Sequence, residues 1–509
     1  MSPTKTFACL FLTLPVGCNW SALDEYADTA PIRVRAAPTK YRGERFGEVL
    51  ASYRTDLAAG YASRYATSAG GGSPVVIDRA FDDGALRETA VQRCKHAGEC
   101  GDGFDVGEAL IAFDTWGAGE QPPRHGCVFA PGNGTAPATV GVVVCESHDV
   151  PQRFDLRLDA LLARDDARAD APRGADAKLQ FSGFGLPPGH PLGVVVFGAH
   201  AVNLRSGERA RGGLYAQPDL TREGAEPVAP APRPLTLRDA RGAAFALGGD
   251  AGDLGRQVVG AVGASGELRV AIAQPSRQRV LVASFDAARP DGLTVRACIA
   301  SPDPALRGFG ERAAFGDVDG DGQPELFVGV DPVAGIEPGR EALFAYAGVG
   351  FPGASAALPT GAREASVTPA ASASCPPWLT PPVSIACRDA DGIGCAGAAF
   401  GASLATGDLD ADGRAELLVG APRARVRGVE GAGAAWLIPG AQAGLALDAM
   451  RAVTPAPREA AHFGAAVATV RSAGRDEPVI GAPGAARVYL FLCSPLERGF
   501  GASTPCLPE

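Results

Sequence analysis

Two stretches of this chain align with each other without a gap, and a repeat of that kind limits the fold more tightly than any local propensity does. Phe309-Gly310 opens the first and Phe400-Gly401 the second. Asp317, Asp319, Asp321, Gly322, Glu325 and Gly329 then fall at the same offsets as Asp408, Asp410, Asp412, Gly413, Glu416 and Gly420. Two more copies keep the frame without the acidic loop. Phe463-Gly464 leads through Gly481-Ala482-Pro483 to the apolar run 487–491, and Leu254-Gly255 leads through 268–275 to the run 279–285. Each unit reads as a strand, a tight turn, a buried strand, another turn and a third apolar strand, with a weaker fourth strand to complete an antiparallel sheet. One such sheet cannot bury both faces, so the units must stack radially as blades around an axis. The Gly of Gly-Ala-Pro suits a crowded strand exit, and the Pro then stops the strand.

Composition agrees with this all-β reading. Of 509 residues, 67 are Gly and 42 Pro, which argues against helical bundles and coiled coils. Charged residues make up only 20% against 46% apolar ones, so the chain can bury a core and is not of the disordered class. A net charge of −10 excludes a generally basic surface, and nucleic acid drops out as a partner class.

The repeated residues resemble the FG-GAP repeat of integrin α-subunit β-propellers and of many bacterial surface and secreted proteins. The resemblance covers 254–285, 309–330, 400–422 and 463–491 and extends to Phe46-Gly47, with Phe184-Gly185 ahead of the apolar run 194–199 as a degenerate copy. Starts near 46, 104, 184, 254, 309, 400 and 463 would give seven blades, the number the family implies. The expected fold is an all-β FG-GAP β-propeller over 44–509, seven blades preferred, following a segment at 19–43. Within it, 75–235 is either a set of degenerate blades or an inserted β-sandwich, because the alternation at 154–159 and the runs 141–144 and 192–199 suit either sheet. Residues 164–177 read as an exposed loop, 226–234 as a Pro-rich linker and 351–382 as an insertion between blades.

The acidic loops carry the chemistry. D-x-D-x-D-G-x-x-E sets three carboxylates on alternate positions of a tight turn, with Gly sixth to allow a left-handed backbone. The candidate metal ligands are Asp317, Asp319, Asp321, Gln323 and Glu325 in one loop and Asp408, Asp410, Asp412, Arg414 and Glu416 in the other, the seventh residue (Gln323, Arg414) through its carbonyl. Four carboxylates so close repel one another. Oxygen ligands without nitrogen or sulfur select Ca²⁺ over zinc or copper, so two Ca²⁺ sites are expected. An EF-hand would need Glu at the twelfth position between helices; Val328 and Val419 stand there, in apolar strands. The resembled family usually closes this loop with Asp where this chain has Glu, and holds such ions structurally, at one rim of the propeller. The bare alternative is a pair of solvated Asp-Gly turns. Asp389, Asp391 and Gly392 form only half a motif and read as a disulfide-closed turn.

Phe7–Val16 is an uncharged apolar run after a short start with one Lys, which reads as a signal peptide over 1–18. Leu14 to Cys18 is similar to a bacterial lipobox, with Pro15 where that motif usually has Leu. Lipidation at Cys18, the only membrane attachment expected, stands beside ordinary cleavage nearby or a retained segment. Setting aside Cys9 and Cys18 leaves ten of the twelve Cys, an even number that favours disulfides in an exported chain. Spacing suggests Cys94 with Cys100, Cys127 with Cys145, Cys387 with Cys395 and Cys493 with Cys506, leaving Cys298 and Cys375.

No nucleophile elbow, zinc-protease or phosphate-loop motif occurs, and Gly348 to Gly353 matches a dinucleotide fingerprint only by letters. His96, His125, His148, His190, His200 and His462 are scattered, and no catalytic residue is assigned. The functional expectation is an exported, calcium-binding, non-enzymatic propeller acting in surface binding or adhesion towards an extracellular protein or glycan. The alternative is a secreted polysaccharide lyase or hydrolase on the same scaffold.

Overall fold

The computed structural model describes residues between 32 and 491: strands in the N-terminal third, then, with short breaks, 178–245, 253–330, 343–347, 382–472 and 475–491. The expected signal peptide at 1–18, the blade start at 104, the loop 164–177, the insertion 351–382 apart from its last residue, and the cysteines 94, 100, 375, 493 and 506 lie outside the described residues. Every regular element described is a β-strand or a single 3-10 turn.

The strands form antiparallel sheets of the predicted kind. Five consecutive blades are described with their side chains: 178–234, 236–300, 312–385, 403–453 and 466–491. In four of them the strand nearest the axis comes first and the chain steps outward; in 236–300 the chain begins at the outer edge, where Thr236–Arg238 runs parallel to Gly292–Ala300, and then steps outward from the innermost strand Val258–Val262. Thus Ser403–Gly407 pairs with Glu416–Ala421, that with Ala434–Ile438, and that with Arg451–Val453. The first strands pack side by side in chain order, Lys178–Gly185 against Val258–Val262, then Arg312–Gly316, Ser403–Gly407 and Ala466–Ser472. Two further sheets, Val49–Tyr53 to Leu86–Gln92 and a group within 105–156, are described by backbone pairing. Their strands Val49–Tyr53 and Ile111–Thr115 lie next to each other, and next to Ala466–Ser472 and Lys178–Gly185 respectively. The outer edge of the last sheet is filled by Ile32–Ala36, paired with Arg487–Phe491.

The repeat residues fasten each blade to its neighbours. Phe46, Phe309, Phe400 and Phe463 are buried, as is Leu254 at the same place. Phe309 packs on Phe344 of its own blade and among Ala271, Val280 and Val282 of the blade before. The following Gly turns the chain with φ between +82° and +93° in all five copies, a region closed to most side chains. Its N–H bonds to the carbonyl that ends the second strand, as in Gly401 to Gly420 (3.0 Å) and Gly464 to Gly481 (3.0 Å). Across the blade boundary the same glycine lies against the strand-end glycine of the preceding sheet, Gly464 against Gly420 and Gly47 against Gly481. A methyl on Gly420 or Gly481 would meet the neighbour's carbonyl oxygen.

Several expectations are corrected. An inserted β-sandwich over 75–235 has no support: 178–234 is a blade that shares one core cluster with the next, Val196 and Leu214 packing with Val258 and Val270. Phe184-Gly185 is not the start of a copy, because it ends the strand Lys178–Gly185 and pairs with Val196 and Val195. The 226–234 segment is no linker. Glu226–Val228 pairs with Thr221–Glu223, and Arg233–Pro234 is the fourth strand of that blade. The long insertion falls inside a blade, between Leu343–Tyr346 and Val383–Ile385, rather than between blades. Disulfide chemistry agrees where it is described: Cys387 and Cys395 are bonded, with the Cys395 N–H donating to Asp389 (2.7 Å), and Cys298 is also in a disulfide. Cys127 and Cys145 stand opposite each other in register.

Candidate metal centres at one end of the axial cavity

The first and second strands of a blade are joined at the end of the axis away from Phe-Gly, so two adjacent blades bring both acidic loops to one rim. Asp317, Asp408, Arg414, Arg471 and Asp476 line that end of a cavity of about 890 Å³, whose walls come from the first strands, including Ser52, Phe113, Leu186, Val259, Phe315, Leu404 and Val467.

Each loop folds around its own backbone. In the first, Asp317 accepts from the N–H groups of Gly320 (2.9 Å) and Gly322 (2.8 Å), Asp319 from Asp321 (3.1 Å) and Asp321 from Gln323 (2.7 Å). Gly322 and Gly413 have φ of +82° and +86°, which lets the carboxylates converge. The second loop repeats the pattern, Asp410 accepting from Asp412 (3.2 Å) and Asp412 from Arg414 (2.9 Å). The closing glutamates start the second strands. Glu325 accepts from the Val318 N–H (3.1 Å), and Glu416 from the Leu409 N–H (2.6 Å).

Ligand atoms of Asp317, Asp319 and Glu325 lie within 4.8 Å of one another, as do those of Asp408, Asp410 and Glu416. These two clusters could hold a metal ion. The predicted ligands Asp321 and Asp412 belong to neither cluster and are exposed on the loops. The remaining predicted residues, Gln323 and Arg414, differ: Gln323 is buried, whereas Arg414 is half-buried and bends its guanidinium onto Asp412 (2.7 Å). Burial, reinforced by Asp319 and then by Asp321 and Asp317, pushes the Glu325 carboxyl up to about 9. Burial and Asp410 push Glu416 up to about 8. Asp408 and Asp410 are also raised, first by burial and then by Asp476 and Asp412 respectively.

Cation fit is supported by atoms left without partners. Glu325 Oε1, Gln323 Oε1 and Asp408 Oδ1 are buried and make no hydrogen bond. A buried carboxylate oxygen without a donor is costly, and an oxygen-seeking divalent ion would satisfy it. The donors described in both clusters are oxygens only, which suits a hard cation.

Two related hairpins were not legible as part of this set. The residues paired across from Gly316 and Gly407 are Glu325 and Glu416; in the last blade the same register position holds Glu477, opposite Val470, and in the 236–300 blade it holds Arg269, opposite Ala261. Glu477 is buried and accepts from Arg475 (2.8 Å). Arg471 stands in the place of the first Asp, 4.0 Å from the buried Asp476. Arg269 inverts the charge and is held by both oxygens of Glu267 (2.6 and 2.9 Å). Guanidinium groups thus sit where the other two hairpins gather carboxylates. The loop at 471–476 is too short to align from Phe463, so its only sequence signal was Glu477 ahead of Gly481, at the offset that also separates Glu325 from Gly329 and Glu416 from Gly420.

The hairpins interlock around the rim. Ala264 N–H donates to the Gly322 carbonyl, Ala415 to Asp317 and Asp476 to Asp408, while the Asp408 N–H returns a bond to the Asp476 carboxylate (2.9 Å). Two described histidines make local contacts: His462 Nδ1 contacts the Pro422 carbonyl (3.1 Å), and His200, lowered to about 3 by burial and then Arg256, contacts Gln180 (3.1 Å).

Residues 400–438 match the family model of the FG-GAP repeat. This stretch is an FG-GAP repeat, set in a β-propeller of antiparallel blades. That match contains the second acidic loop and the two strands that flank it, and the first loop repeats its three Asp, its Gly and its closing Glu at the same offsets. No curated protein matches the chain. Among solved structures, this chain is similar to a fucose-specific lectin from Aleuria aurantia at 13% identity, covering 81% of this chain and 96% of that one, with a TM-score of 0.34. It is also similar to a GH43_1 enzyme from Xanthomonas citri at 10% identity, covering 55% and 80%, with a TM-score of 0.25. Likeness at these scores carries no argument about function.

Proposed function

We propose that this chain is an exported, seven-bladed, calcium-stabilised propeller that serves as a binding or adhesion module for an extracellular protein or glycan. The carrying observation is the pair of carboxylate clusters at equivalent places on adjacent blades, with Glu325 Oε1 and Gln323 Oε1 buried and unpartnered. Asp317, Asp319 and Glu325 would hold one ion and Asp408, Asp410 and Glu416 the other, with the Gln323 and Arg414 carbonyls and the exposed Asp321 and Asp412 available to each loop. A bound divalent ion would neutralise carboxyls that burial otherwise keeps protonated, and would brace hairpins that already bond to one another. Seven blades are supported by the neighbour order of the first strands, in which Val49–Tyr53 and Ile111–Thr115 fill the space between Ala466–Ser472 and Lys178–Gly185. Export, by signal cleavage or lipidation at Cys18, is supported by the apolar start and by disulfides. The binding role follows from the FG-GAP resemblance, and the rim opposite the acidic loops is the surface left for a partner.

Calorimetry of metal-stripped protein with CaCl₂ and a melting curve with and without EDTA test the calcium reading. Uptake of two ions and a lower Tm in EDTA are expected; no uptake and an unchanged Tm would sink it. A glycan array with a polysaccharide-degradation assay tests the role. Binding without turnover is expected, and new reducing or unsaturated ends would establish the enzymatic alternative.

A further inference from the structure

Resting on the calcium reading, we infer that the two cation sites are unequal by construction, and that Arg414 is the residue that makes the 408–416 site the weaker one. The two loops are alike in every acidic residue, each carrying three Asp and a closing Glu. They differ in formal charge at the seventh position, where Gln323 is neutral and Arg414 is cationic. That residue serves a cation through its backbone carbonyl, so its side chain is free for another use. Arg414 turns back into its own loop, and its Nη2 bonds Asp412 Oδ2 at 2.7 Å while the backbone N–H of the same residue bonds Oδ1 at 2.9 Å. The carboxylate at the fifth position, Asp412, is therefore already clamped by a positive charge that belongs to the chain. Gln323 gives the first loop the backbone bond to Asp321 (2.7 Å) but no charge.

The placement is not a surface accident. The Arg414 stem crosses the rim to lie over Gly320 of the first loop, where an added Cβ would come within 3.0 Å of Arg414 Cγ. It also lines the axial cavity, and its Nε is buried without a hydrogen-bond partner. Charges facing the second cluster from the next blade do not restore the balance. Asp476, which accepts from the Asp408 N–H, has Arg471 4.0 Å away, so the two largely offset each other. The affinity of such loops follows the charge gathered around the ion and the rigidity of the ligands. One positive charge held on a loop carboxylate lowers the first quantity, and a divalent ion feels it with twice the force of a proton. The first site would fill at low calcium and the second only at higher calcium, so the rim would have two calcium-dependent states.

The test uses the full metal-stripped chain titrated with CaCl₂ by calorimetry. Two events separated by on the order of tenfold are expected, since one unit charge beside a partly exposed ion changes affinity by about that much. Asp319→Asn should remove the tighter event. Arg414→Gln, which copies the first loop, should tighten the weaker event by a comparable factor. Gln323→Arg should weaken the tighter event, and this reciprocal variant decides the matter if the first fails to fold. Two equal sites in the parent chain, or a separation that neither exchange alters, would overturn the inequality and leave the calcium reading standing. Absence of any calcium heat would overturn both.

Discussion

Glu325 shows what a single residue contributes. It is 3% exposed, opens a strand and stands among three aspartates, so its charged form is disfavoured until something positive arrives. The sign of the pH dependence follows. A carboxyl raised from its ordinary 4.5 to about 9 binds its proton more tightly in the folded state, so the associated stability is complete below pH 4.5 and is lost as pH rises towards 9. Glu416, raised to about 8, adds to the same window. The Tm of metal-stripped protein should therefore fall between pH 5 and pH 9, and millimolar CaCl₂ should remove most of that fall by replacing the protons. A Glu325→Gln variant should show a shallower fall without metal and should lose one calcium event in calorimetry. A metal-free Tm that rises across this range would contradict the burial of these carboxyls. These residues were legible because the chemistry lies in the spacing of the side chains. Their unequal exposure was not, since whether Asp321 faces solvent while Asp319 is buried depends on the neighbouring blade.

At the scale of the element, the unit that matters is the hairpin between the first two strands of a blade. The structure holds this hairpin together in three ways: with clustered carboxylates at 317–325 and 408–416, with Arg475 and Arg471 on Glu477 and Asp476, and with Glu267 on Arg269. The last two need no metal. Arg475→Ala leaves Glu477 buried with one fewer cation, which should cost on the order of 2–4 kcal/mol. The loss should be the same in EDTA and in calcium, as measured by denaturant unfolding. A loss seen only in calcium would mean that this hairpin also depends on an ion. Sequence comparison detected the acidic loops because both keep nine residues in one frame. It missed the arginine versions because a shortened loop shifts the alignment, and strand register shows that Glu477 and Glu416 share a position. The same limit explains Phe184-Gly185: the letters matched, but hydrogen bonding placed them at the end of a strand instead of ahead of one.

For the whole molecule, closure is the decisive event. The last blade supplies three strands from 466–491, and the N-terminal Ile32–Ala36 supplies the fourth, so the two ends of the described chain meet in one sheet. Phe46 then enters the core formed by Ala468, Val470, Val479 and Leu490, and Gly47 docks on Gly481. Removing residues 1–36 should expose the Arg487–Phe491 edge, lower the Tm, and promote association visible by light scattering. An unchanged Tm and a monodisperse truncated chain would show that this strand does not close the molecule. Blade identity was readable where Phe-Gly, the strand-end Gly and the acidic loop occur together, at 309–329 and 400–420. Between 75 and 235 the apolar alternation fits a blade and a sandwich equally well, because both bury one face of an antiparallel sheet.

The sequence by itself determined the repeating unit, its all-β character and the two acidic loops. Each rests on covalent spacing: carboxylates two apart in a tight turn, a glycine where φ must be positive, apolar runs of strand length. Only the tertiary structure decided which residues face one another across blade boundaries. Glycine-on-glycine docking, the interlocked rim and the guanidinium groups in the place of the carboxylates join positions far apart in the chain. Spacing along a chain carries no information about such contacts until packing brings the blades together.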